Sequence, residues 1–219
     1  MFRIIFLILV TIHGIIHLIG FAKAFQYAEM NQLTIAISKP VGLMWFIATF
    51  LFLITAILFQ LKIDYWAIFA IGAVVISQIV IILSWHDAKF GTIANVIILI
   101  ASIIGYATWK YYDKYQNHVK NSLQQKDYLL NSKLTETDIQ HLPEPVKKYI
   151  RYTGSIGKPK VYNFKIEFTG KIRKNEQSEW MPFTSEQYNF METPTRLFFM
   201  KAVMKGLPIT GYHRYKKGD

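Results

Sequence analysis

The first half of the chain alternates between long apolar stretches and short polar segments. Four apolar stretches cover residues 4–22, 41–61, 65–85 and 93–109, and none contains Asp, Glu, Lys or Arg. Each is close to the ~20 residues that an α-helix needs to cross a hydrocarbon layer of roughly 30 Å. One such charge at a helix centre costs roughly 2.5–3.5 kcal/mol. The pattern therefore predicts that residues 1–112 form an all-α membrane domain, a bundle of four transmembrane helices.

Aromatic, small and polar residues support these boundaries and predict the interior of the bundle. Trp45, Trp66, Trp85 and Trp109 lie at or near the ends of the stretches, where amphipathic rings collect beside lipid headgroups. Helices in lipid associate through small and polar side chains, and each stretch has one such stripe at helical spacing. The four stripes are His13, His17, Gly20 and Ala24; Ala48 and Thr55; Ser77 and Ser84 with the adjacent Gln78; and Gly91, Asn95, Ser102 and Gly105.

The distribution of Lys and Arg predicts the orientation. Four spans place both termini on one side, and the basic residues of that side outnumber those of the other. The two sets are Arg3, Lys62, Lys110, Lys114 and Lys120, against Lys23, Lys39 and Lys89. Basic residues favour the cytoplasmic side, so we expect a multi-pass protein of the cell inner (plasma) membrane with cytoplasmic N- and C-termini and the lipid bilayer as a partner. The first stretch lacks a small-x-small cleavage site, so we expect a retained helix rather than a signal peptide.

The second half of the chain is polar and basic. The part after Tyr112 has 19 of the 25 Lys and Arg residues and 11 of the 14 Asp and Glu residues. Residues 113–134 lack Pro and Gly and predict a polar helical stalk that extends the fourth span. Residues 135–219 predict a small α+β domain. Thr135 is the expected N-cap of a short helix, and a second helix is expected over residues 144–152.

A mainly antiparallel sheet is predicted after Pro159. Apolar and polar residues alternate over residues 162–169, which is typical of a half-buried strand. Further strands are predicted over residues 185–191, 196–205 and 212–216, with turn residues between them. The given sequence stops in a turn-like segment, 217–219. We therefore expect an incomplete domain, a fragment, or a C-terminal strand edge that pairs with a protein partner.

His13 and His17 are the candidate cofactor-binding residues. Their spacing of four places both rings on one face of the first helix, and a polar ring inside a membrane needs a polar partner. Gln78 or Asn95 could be that partner. The alternatives are a haem or metal ligand, a proton relay, or two histidines hydrogen-bonded across the bundle. One helix supplies only two ligands, no second cluster completes a site, and the segment lacks the Glu of the zinc-protease helix. We therefore predict no metal site and no cofactor, with haem as the minority alternative.

Other catalytic signals are weak. His86 and Asp87 are adjacent, and adjacent residues of a helix point apart, so we do not expect them to orient one another as a catalytic pair. The sequence has no phosphate loop, nucleophile elbow or paired carboxylates. Without Cys it also has no disulfide or thiolate site. We predict no catalytic residue and favour a protein that is not an enzyme.

Phe and Met residues of the strands form a candidate ligand groove. Phe198, Met200 and Met204 could line a groove for lipid or another apolar ligand, since Met adapts to irregular shapes. The alternative is that they form the core of the sheet. The basic residues are scattered rather than striped, which favours a solvated surface or attraction to anionic lipid over nucleic-acid binding.

Several segments of the second half carry a resemblance to a known family. They are Leu142-Pro143-Glu144-Pro145-Val146-Lys147-Lys148-Tyr149, Gly157-Lys158-Pro159, Pro182-Phe183-Thr184-Ser185-Glu186-Gln187-Tyr188, Thr195-Arg196-Leu197-Phe198 and Gly211-Tyr212-His213-Arg214-Tyr215. With these segments the chain resembles an uncharacterised bacterial family of multi-pass membrane proteins of unknown function. The resemblance implies a strand-rich domain that continues beyond this run, and it implies no activity, cofactor or catalytic residue.

Three functions are compatible with the sequence. The first is a membrane-anchored binding or scaffold protein whose strand domain holds an apolar ligand, lipid or protein. The second is a haem- or metal-dependent membrane redox protein that uses His13 and His17. The third is an enzyme whose site lies in residues outside this chain.

Overall fold

The computed structural model describes residues 2–27, 34–124, 132–204 and 206–217, and it divides into two compact units, Met1–Lys110 and Tyr111–Asp219. The helices are α1 (Phe2–Ile16), α2 (Leu18–Ala24), α3 (Lys39–Gln60), α4 (Trp66–Leu83), α5 (Trp85–Ala88), α6 (Gly91–Gln124), α7 (Glu136–Ile139) and α8 (Glu144–Tyr152). The strands are β1 (Asn163–Ile172), β2 (Met181–Phe190), β3 (Thr195–Met204) and β4 (Leu207–Lys216). The predicted fold class, a helical bundle followed by a small antiparallel-sheet domain, is confirmed.

Four helical segments of the first unit are long and apolar enough to cross a membrane. They are Phe2–Ala24, which combines α1 and α2, then α3, α4 and α6. A tight turn at His17 separates α1 from α2, and the His17 N–H donates to the Gly14 carbonyl oxygen at 3.2 Å. Large apolar side chains such as Ile8, Ile57, Ile82 and Ile100 are more than half exposed. Exposure on this scale is unfavourable in water but not in lipid.

The interior of the first unit is built from the predicted small and polar stripes. Val10, Phe52, Ala73 and Ile98 form its apolar centre. Around them lie buried members of the stripes, namely His13, His17, Gly20, Ala24, Ala48, Thr55, Ser77, Ser84, Asn95 and Ser102. Threonine and serine hydroxyls outside the histidine region bond to their own helix, as Ser102 does to the Ile98 carbonyl oxygen at 2.7 Å. The stripes therefore do face the inside of the bundle.

Gly20 allows a close approach between α2 and α3. A Cβ atom at Gly20 would lie 2.2 Å from Cδ2 of Trp45, which no real contact permits. The absent side chain therefore lets the Trp45 ring lie directly against α2, where it also contacts the His17 ring at a centroid distance of 5.1 Å. This contact places Trp45 beside the histidines.

The second unit is a four-stranded antiparallel sheet with helical segments. The strand order is β1-β2-β3-β4, so each strand pairs with the next one in the chain. The paired residues divide the sheet into two faces. The odd-numbered residues of β1 and β3 and the even-numbered residues of β2 and β4 form one face, which we call the covered face. The remaining strand residues form the other, which we call the open face.

The core of the second unit lies between the covered face and the last part of α6. Tyr115 and Val119 of α6 are buried against Phe190, Leu197 and Phe199. The Tyr115 and Phe199 ring centroids are 5.2 Å apart. The first part of the predicted stalk thus packs on the sheet, and residues 125–131 lie outside the described residues.

The sheet departs from the sequence prediction in strand length. β2 begins at Met181 instead of residue 185, and β4 begins at Leu207 instead of residue 212. Both extensions include a proline. Pro182 precedes the first residue of β2 that pairs with β3, and Pro208 lies on the edge strand β4. A proline at the start of a strand or on an edge removes no central ladder bond, so the strands continue through it.

The predicted half-burial of β1 is wrong. Its residues alternate as expected, but the apolar ones lie on the open face and stay exposed. Phe168 on that face is 47% exposed, and Phe164 is similar. The alternation identifies two faces of a strand, but it does not identify which one a helix covers.

Candidate functional site

His13 and His17 lie together in the interior of the first unit. Both are buried, and their ring centroids are 4.8 Å apart in an edge-to-face arrangement. Phe52 of α3 packs against both rings. The spacing of four therefore has the predicted effect of placing both rings on the inner face of the first span.

A network of buried hydrogen bonds joins the histidines to α4 and α6. His13 Nε2 donates to Asn95 Oδ1 at 2.9 Å, and His17 Nε2 lies 2.8 Å from Ser77 Oγ. Asn95 Nδ2 in turn donates to Gln78 Oε1 at 3.0 Å, and Gln78 Nε2 donates to Thr92 Oγ1 at 3.1 Å. Asn95 is thus the direct partner of His13 and Gln78 is its indirect one. The contact of His17 with Ser77 was not predicted.

The Ser77 hydroxyl has two acceptors for one hydrogen. His17 Nδ1 lies 2.8 Å from the His13 carbonyl oxygen, which only accepts, so Nδ1 carries a hydrogen. When His17 is neutral, its Nε2 accepts from Ser77. The same hydroxyl lies 3.0 Å from Asn95 Oδ1, to which it can donate if His17 Nε2 carries a second hydrogen. Rotation of one hydroxyl could therefore accommodate a proton on His17.

Protein groups engage Nε2 of His13 and both ring nitrogens of His17. A metal ion binds a lone pair of a ring nitrogen, and both ring nitrogens of His17 are engaged by protein groups. Within the described ranges, no group of three His, Asp or Glu side chains could hold a metal ion. A haem iron at His17 would have to replace the bond to Ser77.

A cavity of about 380 Å³ lies beside the two histidines. It is found where the first span and α4 end and where α3 and α6 begin. Ile16, Ile19, Ile81, Phe90 and Ala94 give it a mostly apolar wall. His13, His17, Trp45 and Asp87 are its polar and aromatic residues.

Asp87 fixes the segment that follows the undescribed residues 28–33. Its carboxylate accepts hydrogen bonds from the backbone N–H groups of Thr34 and Ile35, the Thr34 hydroxyl and His86 Nδ1. The expectation that the His86 and Asp87 side chains point apart was wrong, because α5 is a single short turn in which His86 Nδ1 lies 3.0 Å from Asp87 Oδ1. These bonds, with that of His86 first, hold the pKa of Asp87 well below its usual range.

Replacing Asp87 by asparagine should weaken the hydrogen bonds that its carboxylate accepts from Thr34 and Ile35. A carboxylate whose pKa is lowered in the folded state stabilises that state at pH values above the pKa it has in the unfolded chain. This stabilisation is lost as the pH falls through the pKa of the folded state. The bonds should thus be intact at neutral pH, and their contribution to the free energy of unfolding should decline only below about pH 4. Hydrogen exchange of the Thr34 and Ile35 amides, corrected for intrinsic rates, should be about tenfold faster in D87N at pH 7.

The matched control for D87N is D64N, because Asp64 lies exposed in the turn between α3 and α4. D64N should leave both amides unchanged. Equal exchange rates in the two variants would mean that Asp87 does not hold this segment.

The candidate groove residues lie together on the open face of the sheet. Phe198, Met200 and Met204 are even-numbered residues of β3 and share that face. Phe198 and Met200 are half-buried, and Met204 is 45% exposed. The core of the second unit lies on the opposite face, so these residues are not part of it.

Two buried polar atoms of the open face have no hydrogen-bond partner among the described residues. Ser185 Oγ and Asn189 Nδ2 have no hydrogen-bond partner in the part of the chain that the structure describes. Both residues belong to β2, and Ser185 is paired with Phe168 and Met200, which lie on either side of it. The open face thus combines apolar side chains with hydrogen-bonding capacity that the described residues leave unused.

Residues 132–219 match a family model described as a family of unknown function (DUF6544). The matched region contains the segments that carry the resemblance to an uncharacterised family, and it lies C-terminal to the four apolar helices. No curated protein and no solved structure matches the chain.

Proposed function

We propose that this protein is a membrane-anchored lipid-binding protein whose open sheet face holds lipid acyl chains. One observation carries the proposal, which is the exposed apolar surface on the open face. The four apolar helices anchor the chain in the plasma membrane with both termini in the cytoplasm, in agreement with the excess of basic residues on that side.

The extent of the apolar surface supports a ligand. Exposed apolar side chains come from three strands, and Leu207 of β4 reaches 58% exposure. The residues that are more than one third exposed are Phe164, Phe168, Ile172, Met204, Leu207 and Tyr215. Soluble proteins rarely leave contiguous apolar patches larger than a few hundred Å² uncovered, and larger patches mark binding surfaces.

The chemistry of this face suits a lipid. Acyl chains are flexible, and Met200 and Met204 provide side chains that adapt to them. The excess of Lys and Arg in the second half favours anionic headgroups, by about 1 kcal/mol for each basic residue near the lipid.

Photolabelling in a bilayer tests the proposal. The full chain is reconstituted into vesicles of phosphatidylethanolamine and phosphatidylglycerol that contain a phosphatidylcholine with a diazirine in its acyl chain. After illumination, labelled peptides are mapped by mass spectrometry. We expect labels in the apolar helices, which serve as the internal reference, and also in peptides of β1 and β3.

Two neighbouring residues of β1 provide matched variants. Phe168 lies on the open face and Thr169 on the covered face, and both are exposed. Phe168→Lys should reduce the labelling of the sheet at least fivefold, whereas Thr169→Lys should leave it unchanged. Labels confined to the helices, or equal effects of the two variants, would contradict the proposal.

A further inference from the structure

A cavity of the second unit brings basic side chains together on the covered face of the sheet. It has a volume of about 280 Å³ and lies between the end of α6, the end of β2, the start of β3 and the end of β4. Its wall includes His118 of α6 and Arg214 and Lys216 of β4. Arg214 and Lys216 are two residues apart on one face of a strand, which separates their Cα atoms by roughly 7 Å. Both long side chains can therefore reach one small ligand.

The positive charges of this cavity have no counter-charge in its wall. None of the described residues that line it is an Asp or a Glu. Within the ranges that the structure describes, neither Arg214 nor Lys216 forms a salt bridge. The salt bridges of the second unit use Lys147, Arg151, Lys160 and Lys165. A concave site lined by charges of one sign concentrates ligands of the opposite sign, so this cavity favours an anion.

The groups that can bind an anion are accessible from the solvent. Arg214 and Lys216 are exposed, and His118 is half-buried. His118 Nδ1 lies 2.5 Å from the Tyr212 hydroxyl oxygen, which leaves Nε2 as the ring nitrogen for a ligand. When Nδ1 accepts a hydrogen bond from the Tyr212 hydroxyl, Nε2 carries the ring hydrogen and can donate it. The cavity thus offers a guanidinium, an ammonium and an imidazole N–H.

The uncharged part of the wall suits a small polar ligand. Most of it consists of hydroxyl and amide side chains, which are Asn121, Ser122, Thr193 and Thr195. The Thr195 hydroxyl donates to the Thr193 carbonyl oxygen at 2.8 Å, so the turn between β2 and β3 has a fixed shape at the cavity. The volume of about 280 Å³ is at the lower end of the usual range for small-molecule sites, roughly 300–1,000 Å³. It suits a single anionic group with a small substituent.

We propose that this cavity binds the phosphate group of a phosphate monoester through Arg214, Lys216 and His118. The planar guanidinium matches two phosphate oxygens at once, and Lys216 adds a compact charge. A phosphate monoester has a charge of about −1.5 to −2 at pH 7, which the two permanent cations balance. Two sources have this chemistry, a water-soluble phosphate ester and the headgroup of phosphatidic acid. The proposal concerns the covered face, so it and the lipid-binding open face can fail independently.

Equilibrium dialysis of the full-length protein in phosphatidylcholine nanodiscs tests the proposal. The ligand is radiolabelled glycerol 3-phosphate, and radiolabelled glycerol is the control that lacks the phosphate. The buffer contains about 150 mM NaCl, which screens exposed charges beyond about 8 Å, so general attraction to a basic surface is weak. We expect saturable binding of glycerol 3-phosphate at one site per chain and no binding of glycerol. Absence of saturable binding of glycerol 3-phosphate would overturn the proposal.

Two arginines on opposite faces of the sheet provide matched variants. Arg214 lies on the covered face, whereas Arg196 of β3 is paired with Tyr215 on the open face. Arg214→Gln removes a charged donor from the cavity and should weaken the binding at least tenfold. Arg196→Gln removes the same charge from the other face and should leave the binding unchanged. Equal losses in the two variants would overturn the proposal, because the ligand would then respond only to the net charge.

The composition of the nanodisc distinguishes the two sources of phosphate. Part of the phosphatidylcholine is replaced by phosphatidic acid or, as the anionic control, by phosphatidylglycerol. Loss of glycerol 3-phosphate binding with phosphatidic acid alone would assign the cavity to the lipid headgroup. Binding that persists with both lipids would assign it to a water-soluble ester. The comparison of glycerol 3-phosphate with glycerol uses the wild-type protein, so it decides the question even if Arg214→Gln fails to fold.

Discussion

Replacing Asn95 by leucine is expected to destabilise the first unit by about 2–4 kcal/mol. Asn95 is buried at the centre of the network, where its amide oxygen faces His13 Nε2 and Ser77 Oγ and its amide nitrogen donates to Gln78. Hydrogen bonds between membrane helices contribute about 0.6 kcal/mol on average and up to about 1.7 kcal/mol each. Leucine removes three of them and leaves buried donors and acceptors unpaired.

Unfolding of the purified protein by SDS in mixed micelles, followed by circular dichroism, measures this effect. Ser102→Ala is the matched control, because Ser102 is one heptad further along α6 and equally buried, yet its hydroxyl bonds only to its own helix. We expect a loss below about 1 kcal/mol for S102A. The double variant H13L/N95L should lose less than the sum of the single variants. Equal losses for N95L and S102A would show that the network does not join the helices.

The histidine network shows what the sequence could predict in the first unit and what it could not. The apolar stretches and their small and polar stripes follow from composition and helical periodicity, so the inward position of His13, His17 and Asn95 was predictable. The sequence could not predict whether Ser77 or Gln78 contacts His17. These two residues are adjacent in α4, so their side chains point in directions that differ by only a fraction of a helical turn. That choice depends on the rotation of α4 relative to α1, which packing sets.

In the second unit, the sequence predicted the strands but not the side of the sheet that forms the core. The strand alternation gives two faces of a sheet, and either could be covered. The missing signal was in α6. Tyr112, Tyr115 and Val119 recur at spacings of three and four, which is the pattern of a helix that packs on something. This short stripe lies among the polar residues of the predicted stalk, so the composition of the segment conceals it.

The sequence also could not predict which buried polar atoms have no hydrogen-bond partner among the described residues. Trp45 reads as an interfacial Trp, and only the close approach at Gly20 shows that its ring is enclosed. Ser185 reads as a neutral strand residue, and only the register places it between Phe168 and Met200. Both depend on contacts between segments that are distant in the chain.

Phe199→Ala is expected to destabilise the second unit by about 3–5 kcal/mol, the usual loss for a buried Phe in a core. Phe199 is 1% exposed, and its ring lies 5.0 Å from that of Tyr112 and 5.2 Å from that of Tyr115, measured between centroids. Truncation therefore leaves a cavity between α6 and the covered face. Hydrogen exchange of β2 and β3 amides in the full chain should report the loss as a smaller free energy of opening.

Phe198→Ala is the matched control, because Phe198 precedes Phe199 in the same strand but lies half-buried on the open face. Its loss in opening free energy should be about 1 kcal/mol, since this half-buried ring contributes less buried apolar surface within the unit than the enclosed ring of Phe199. The same variant should reduce the labelling of β3 by the diazirine lipid. A larger destabilisation by F198A than by F199A would mean that the open face is the core of this unit, and the lipid-binding proposal would lose its surface.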